Sequence, residues 1–469
     1  MILPGISELF WTAGKAFLIS LILTPIARDI FRSYNVVDRP GRRKVHAYPI
    51  PRIGGIAIAI AYAIALLSET NAGASITRGD SVAWRLIPGA ATIFLTGLLD
   101  DFFTFRPVFK LVGEVIAAVL IYTSGLRVET IANVDLPWWI SLPVTLFWLL
   151  LATNALNLID GLDGLCTGIG LMATLTLSGA AVIHGNQPLA LATIPLTGAL
   201  LGFFFYNFNP ATVFLGDSGA LLIGFLLGCY GMIWTQKTDA LLSIAVPLLA
   251  LSIPLLDVSL SIARRYLRNK PIFSADRGHI HHRLLSRGLS VRGAVLVLYL
   301  VAGVAAGFAL LLSLPGLGKY RALIVVAFFT VVWAGVRQLR YSEFDVMGGL
   351  IFKGAFRRGL ERRDQIENLA ADLSATKTED DWWNVLVKLA RELKWSRICW
   401  AGSHGRREQV FEDRAPAWVF SVPLSDAESV EVAGAVNPAS SAFDLVGYAE
   451  TVARSFAGKR RQWERLVIR

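Results

Sequence analysis

The sequence predicts an all-α polytopic membrane protein of about eleven transmembrane helices with a small cytoplasmic α+β domain at its C-terminal end. Three observations carry this. Of 469 residues, 54% are hydrophobic and only 17% charged, with mean hydropathy +0.54; soluble domains are about a quarter charged. Apolar runs near the ~17–25 residues that cross a bilayer recur throughout the first 340 residues. After residue 340 the character changes, and charges appear at about two-fifths of positions between 353 and 394.

The expected spans are 9–28, 53–69, 84–99, 107–123, 138–156, 166–184, 188–206, 213–234, 240–262, 293–313 and 320–338. Several contain Gly or Pro, which membrane helices tolerate when neighbours cover the freed backbone groups. No basic n-region precedes the first run, so a cleaved signal peptide is not expected. Residues 1–340 hold 26 Lys and Arg against 16 Asp and Glu, whereas 341–469 hold 19 of each. The net charge of +10 therefore belongs to the membrane part, which argues for basic cytoplasmic loops and anionic ligands rather than nucleic acid. Arg28 through Arg52, Arg106 with Lys110, Arg264 through Arg292, and Arg337 with Arg340 make up 19 of those 26 basic residues and fall on one side. That side is expected to be cytoplasmic, with the N-terminus outside and the tail inside a bacterial-type inner (plasma) membrane. Cys166, Cys229 and Cys399 are widely spaced and odd in number, which speaks against disulfides and a cysteine zinc site.

Beyond the spans, segment 356–373 reads as a charged connector helix within 341–378. Segment 380–394 reads as an amphipathic helix with an acidic start and a basic end. Strand-like runs SRICWAG, WVFSVPL and VEVAGAV and a last helix near 441–466 complete a domain over 379–469.

Five polar clusters all fall at expected cytoplasmic ends: DRPGRRKVHAYPIPR (38–52), LLDDF (98–102), NALNLIDGLDGL (154–165), YNFNPATVFLGDSG (206–219) and SADRGHIHHRLL (274–285). Ionised groups near a bilayer are costly and usually mark function. Asp100 and Asp101 are adjacent carboxylates that can hold a cation or share a proton, or simply cap a helix at the interface. Asp160 and Asp163 are three apart and on a helix would share a face, as Asn154 and Asn157 do one turn earlier. Asp217, between glycines at the start of a long apolar helix, could ligate a hard cation or cap that helix. Phe214 could stack on a base or pack. His279, His281 and His282 beside Arg277 and Arg283 suit phosphate; zinc is the competing idea, and a basic interfacial loop the plain one. Lys44 and His46 lie in the basic first loop. No P-loop, GxGxxG or HExxH is present. The inventory suits metal-assisted phosphoryl transfer between anionic partners at a membrane surface.

These five motifs together resemble the polyprenyl-phosphate N-acetylhexosamine-1-phosphate transferases, which include the phospho-MurNAc-pentapeptide transferases, over roughly residues 10–340. DRPGRRKVHAYPIPRIGG and HIHHRLLSRGLS look like the branch that uses a simple UDP-N-acetylhexosamine, because the three-histidine run of the pentapeptide branch is absent. The resemblance implies Mg2+, with Mn2+ as a substitute, at Asp217 with Asn157 nearby. Asp100 and Asp101 would orient or deprotonate undecaprenyl phosphate or help hold the metal, and Lys110 would neutralise phosphate. Asp160 and Asp163 would order the nucleotide pocket, and Asn209 and Phe214 would lie near uridine. Arg277, His279, His281 and His282 would contact sugar and diphosphate, and Lys44 and His46 would join the substrate site. The expected reaction gives a lipid-linked sugar, with GlcNAc the first choice, and UMP.

The tail resembles a GAF-type regulatory domain and could sense a ligand, dimerise the enzyme or dock a partner. A transporter or flippase is the alternative, but its site belongs near the midplane of repeated halves, and neither feature is legible here. A receptor whose function lies in the tail would leave the membrane motifs unexplained.

Overall fold

Every one of the eleven apolar runs folds as α-helix. The computed structural model describes residues 6–34, 36–38, 49–71, 82–131, 134–235, 240–267, 278–338, 366–376, 378–393, 395–402, 405–411, 418–425, 428–434, 448–457 and 459. Its helices are α1 Ile6–Ser33, α2 Gly54–Asn71, α3 Val82–Phe103, α4 Pro107–Thr123, α5 Trp138–Ile159, α6 Leu165–Ile183, α7 Gln187–Asn207 and α8 Gly216–Thr235. They continue with α9 Ala240–Ala250, α10 Ser252–Leu267, the short α11 Ile280–Ser286, α12 Val291–Ser313 and α13 Arg321–Gln338. A two-residue hairpin, β1 Thr130–Ile131 with β2 Val134–Asp135, links α4 to α5.

Among the described residues, seven of these helices are long and apolar enough to cross a membrane (α1, α3, α5, α6, α7, α8 and α12), or eight if α9 and α10 count as one span. The run 240–262 is a broken helix, bent by 82° between α9 and α10. The run 107–123 gives only 17 residues in α4. At 1.5 Å per residue that is about 25 Å, short of a ~30 Å hydrocarbon core.

Helix α8 is the axis of the bundle. It is apolar all round, and its residues from Ser218 to Trp234 are all buried, as expected of a helix without a polar face. Helices α2, α3, α5, α6 and α9 pack around it. Small residues allow the close approach: a Cβ at Gly224 would stand 2.8 Å from the carbonyl oxygen of Ala152. One helical turn on, Trp148 Nε1 donates to the carbonyl of Gly228 at 2.9 Å. Helix α1 packs on α7, and α12 on α6 and α9. Outward faces are aliphatic and exposed: Leu18, Ile22, Ile26 and Ile30 recur every fourth residue of α1, and Leu296, Leu300 and Val304 line α12. Such a surface suits lipid rather than water.

The tail forms its own core. Four antiparallel strands, β3 Arg397–Gly402, β4 Gly405–Val410, β5 Trp418–Ser425 and β6 Glu428–Gly434, pair in the order β4-β3-β6-β5. Helix Glu379–Glu392 starts with a capping box between Thr378 and Asp381 and buries Trp382, Leu386 and Leu389 against Ile398, Trp400 and Val432. Leu369 and Leu373, from the helical residues 366–375, join that core, as do Tyr448 and Phe456 from the helix over 448–457. Strand β4 was not expected, because GRREQV is polar and almost wholly exposed on a sheet edge.

Candidate active site

Three carboxylates and an ammonium meet where α3 ends, α4 begins and α8 begins. The chain reverses through Thr104 to Arg106, with Thr104 at φ +51°. The carboxylate of Asp100 holds this reversal by accepting from the N–H of Phe105 at 2.7 Å. The reversal returns Lys110 to the end of α3. Its Nζ lies 3.2 Å from Asp100 Oδ2 and donates to Asp217 Oδ2 at 2.8 Å. Asp101 does different work. The N–H of Asp217 donates to its Oδ1 at 2.8 Å, while the N–H and hydroxyl of Ser218 donate to its Oδ2 at 3.0 and 2.7 Å. It thus satisfies the first-turn donors of α8 from another helix, where negative charge also suits the helix dipole. Gly216 makes this approach possible: its φ is +75°, and a Cβ there would meet Asp101 Oδ2 at 2.7 Å.

The DGLDG segment corrects an expectation. Asp160 and Asp163 do not share a helix face, because α5 ends at Ile159 and residues 160–164 form a turn. Gly161 and Gly164 favour that break, and Gly164 has φ +78°. Asp163 Oδ2 accepts from Asn209 Nδ2 and the N–H of Ala211, both at 3.0 Å. The Asn209 carbonyl in turn accepts from Arg292 Nε at 3.0 Å. Asp160 feels the charges of Asp217, Asp101, Asp163 and Arg52. Loss of solvent, then the neighbouring carboxylates, push its carboxyl up to about 8. Asn157 sits in the last turn of α5, where its carbonyl accepts from the N–H of Asp160 at 3.3 Å.

Residues 51–54 and α11 come to the same end. Phe214 donates its N–H to the Pro51 carbonyl and accepts from the N–H of Gly54, both at 2.9 Å. His281 lies on the DGLDG turn: a Cβ at Gly161 would come 2.5 Å from its Nε2. Its ring is stacked with His279 (centroids 5.7 Å) and tilted against His282 (4.3 Å). Burial, then the neighbouring His282, push His281 down to about 4, so it is neutral at pH 7. Lys44, His46 and Arg277 lie outside the described residues.

Two buried acids escaped the sequence reading because they sit inside apolar runs. Glu114 on α4, one turn beyond Lys110, is 3% exposed and accepts from Asn154 Nδ2 on α5. Asp257 on α10 is 1% exposed, and its Oδ2 is 2.8 Å from His279 Nδ1. The legible signal was an ionisable residue within a span.

Among the described residues no three His, Cys, Asp or Glu side chains converge as a metal cage. Mg2+ does not require one, since it takes one or two protein carboxylates and completes its shell with water and substrate phosphates. Asp100 and Asp217 offer hard oxygen donors, and one cation, Lys110, already lies between them. The donor set therefore fits.

Membrane-length helices that gather carboxylates, amides and a lysine at one end define a multi-pass membrane protein with a buried polar site. Residues 83–235 match the family model described as glycosyl transferase family 4. The chain is 35% identical over 295 residues to a probable undecaprenyl-phosphate N-acetylglucosaminyl 1-phosphate transferase of Bacillus subtilis, covering 61% of this chain and 81% of that protein. It is 33% identical over 332 residues to a decaprenyl-phosphate N-acetylglucosaminephosphotransferase of Mycolicibacterium smegmatis (64% and 80% covered). It is 29% identical over 334 residues to a phospho-N-acetylmuramoyl-pentapeptide-transferase of Desulforudis audaxviator (65% and 98%). The chain belongs to glycosyl transferase family 4, as its motifs led us to expect.

Proposed function

We propose that this chain transfers N-acetylglucosamine-1-phosphate from UDP-GlcNAc to undecaprenyl phosphate and releases UMP, the first membrane step of a cell-surface glycan. The observation that carries this reading is Lys110 bound at once to Asp100 and Asp217 at the buried helix start where the family's acids converge. The names of the relatives supply the GlcNAc and the polyprenyl phosphate.

An oxygen of the lipid phosphate attacks the β-phosphorus. The bond from that phosphorus to the oxygen bridging the α-phosphate breaks, and UMP leaves. Lys110 offsets phosphate charge. Asp101 keeps the start of α8, and so Asp217, in place. Asp163 holds the Asn209 loop beside Phe214 for the uridine. His279, His281 and His282, with Arg277, Lys44 and His46, contact sugar and diphosphate. Mg2+, held by Asp217 with Asn157 and Asp100, would draw charge from the phosphoryl oxygens. Positioning and charge neutralisation then supply most of the rate.

A largely apolar cavity of about 1040 Å3 between α9, α10, α12 and α13, bordered by Ile280 and Leu284 of α11, supports a prenyl acceptor, because it offers an isoprenoid chain an apolar berth beside the histidines. All eleven runs cross or enter the inner membrane in this reading. The basic loops, and with them the site, face the cytoplasm, where UDP-sugars are made. The 379–469 domain is a GAF-like regulatory or dimerising unit joined through 341–378.

Purified protein with undecaprenyl phosphate, Mg2+ and a panel of UDP-sugars should release UMP with UDP-GlcNAc, and EDTA should stop it. Folded Asp217→Ala protein that still makes lipid-linked sugar would sink the metal assignment. Silence across the panel would turn attention to the transporter reading.

A further inference from the structure

Asp257 has no role in the reaction above, yet it is a carboxylate inside an apolar helix, where an ionisable group is costly to keep. Both of its oxygens are spent on α11. Oδ1 accepts from the N–H of Ile280 at 2.7 Å, and Oδ2 is 2.8 Å from His279 Nδ1. His279 precedes the first residue of α11, but its own side chain does not cap the helix. The cap comes from α10 instead.

A carboxylate only accepts, so the ring hydrogen on that side is on Nδ1. The polar atom left to the imidazole is Nε2. The ring is held on its face as well, because it lies nearly parallel to His281, 9° between planes. His281 in turn rests on Gly161 in the turn that carries Asp160 and Asp163. A continuous chain of contacts, Asp257 to His279 to His281 to Gly161, thus runs from the broken helix into the site.

We infer that Asp257 is a positioning residue that fixes the proton of His279 on Nδ1 and so sets what Nε2 presents to the sugar diphosphate. The inference rests on the histidines contacting that donor. A carboxylate behind an imidazole also stabilises the imidazolium, which donates from both nitrogens. Either way Asp257 governs the chemistry of Nε2 without touching substrate.

Asp257→Asn separates this from a purely structural role. The amide keeps an acceptor for the Ile280 N–H but puts a donor against Nδ1. The imidazole must then accept at Nδ1 and carry its hydrogen on Nε2, the same shape with the reverse tautomer. Asp257→Asn, His279→Gln and the double variant would be made in the full chain. Each would be assayed for kcat and KM with UDP-GlcNAc, for thermal midpoint, and for the midpoint shift caused by UDP-GlcNAc alone.

We expect Asp257→Asn to keep the wild-type midpoint, to lose about 10- to 100-fold in kcat/KM, the scale seen when a metal-liganding histidine loses its hydrogen-bonded partner, and to respond less to UDP-GlcNAc. Placed on His279→Gln it should cost nothing more. Wild-type kinetics in Asp257→Asn with a crippled His279→Gln would overturn the inference and leave the histidine reading standing. Full additivity in the double variant would overturn it too, since Asp257 would then act elsewhere. Wild-type behaviour of His279→Gln would remove the histidine reading and this inference together.

Discussion

Lys110 Nζ donates to Asp217 Oδ2 at 2.8 Å across 107 residues of sequence, tying the first turn of α4 to the first turn of α8. The same ammonium reaches Asp100 at 3.2 Å. With side chains 18%, 9% and 24% exposed, the three groups are screened far less than a surface pair. Lys110→Met should therefore lower kcat by about 100- to 1000-fold, the scale for losing one preorganised charge from a site. Lys110→Arg should restore part of it. UMP release on folded variants measures both, and wild-type turnover in Lys110→Met would show that the ammonium only balances charge at rest.

Asp101 predicts an effect on the fold as well as the rate. In Asp101→Asn an amide nitrogen must face one of the donors of Asp217 or Ser218. Loss of a helix cap costs about 1 kcal/mol, and an unsatisfied buried donor about 1–3 kcal/mol. The midpoint should drop and activity should fall with it. Ser218→Ala deletes only the 2.7 Å hydroxyl bond and should be milder on both counts. Equal effects from the two would argue against Asp101 as the cap of α8.

Glu114 is a buried carboxyl within the electrostatic reach of Lys110 and Asp217. Glu114→Gln still accepts from Asn154 but can carry no charge, so the protein should fold normally and need more Mg2+ for half-maximal activity. Glu114→Leu strands the Asn154 amide and should lower the midpoint. A Mg2+ titration of activity beside a melting curve distinguishes the two; an unchanged Mg2+ requirement in Glu114→Gln would exclude the electrostatic role.

Asp160 should make ligand-free stability depend on pH. Its carboxyl lies at about 8 in the folded protein against an ordinary 3.8, so the folded state binds this proton more tightly than the unfolded one. Stability contributed by the group is complete below about pH 4 and declines as pH rises through about 8. Asp160→Asn should flatten that decline. Melting midpoints of both proteins between pH 5 and 9 test it, and parallel curves would refute it.

Much of this protein is legible from its residues alone. The eleven helical runs are readable because apolar length is a local property, and the acids of LLDDF, DGLDG and FLGDSG stand out because charge is costly beside lipid. The strands around Trp400 and Val432 show in the same way, while β4, an exposed polar edge, does not. Pairing is another matter. Nothing in the local sequence says that Lys110 belongs to Asp217, that Asp101 spends both oxygens on α8, or that Asp163 turns to Asn209. Glu114 and Asp257 each read as one blemish in an apolar run until packing brings Asn154 and His279 against them. The sequence by itself determined the helices and the chemical inventory of the polar clusters, since both follow from composition over a few turns. Only the tertiary structure decided which carboxylates share Lys110 and which hold the start of another helix, because that depends on helices far apart in the chain closing around α8.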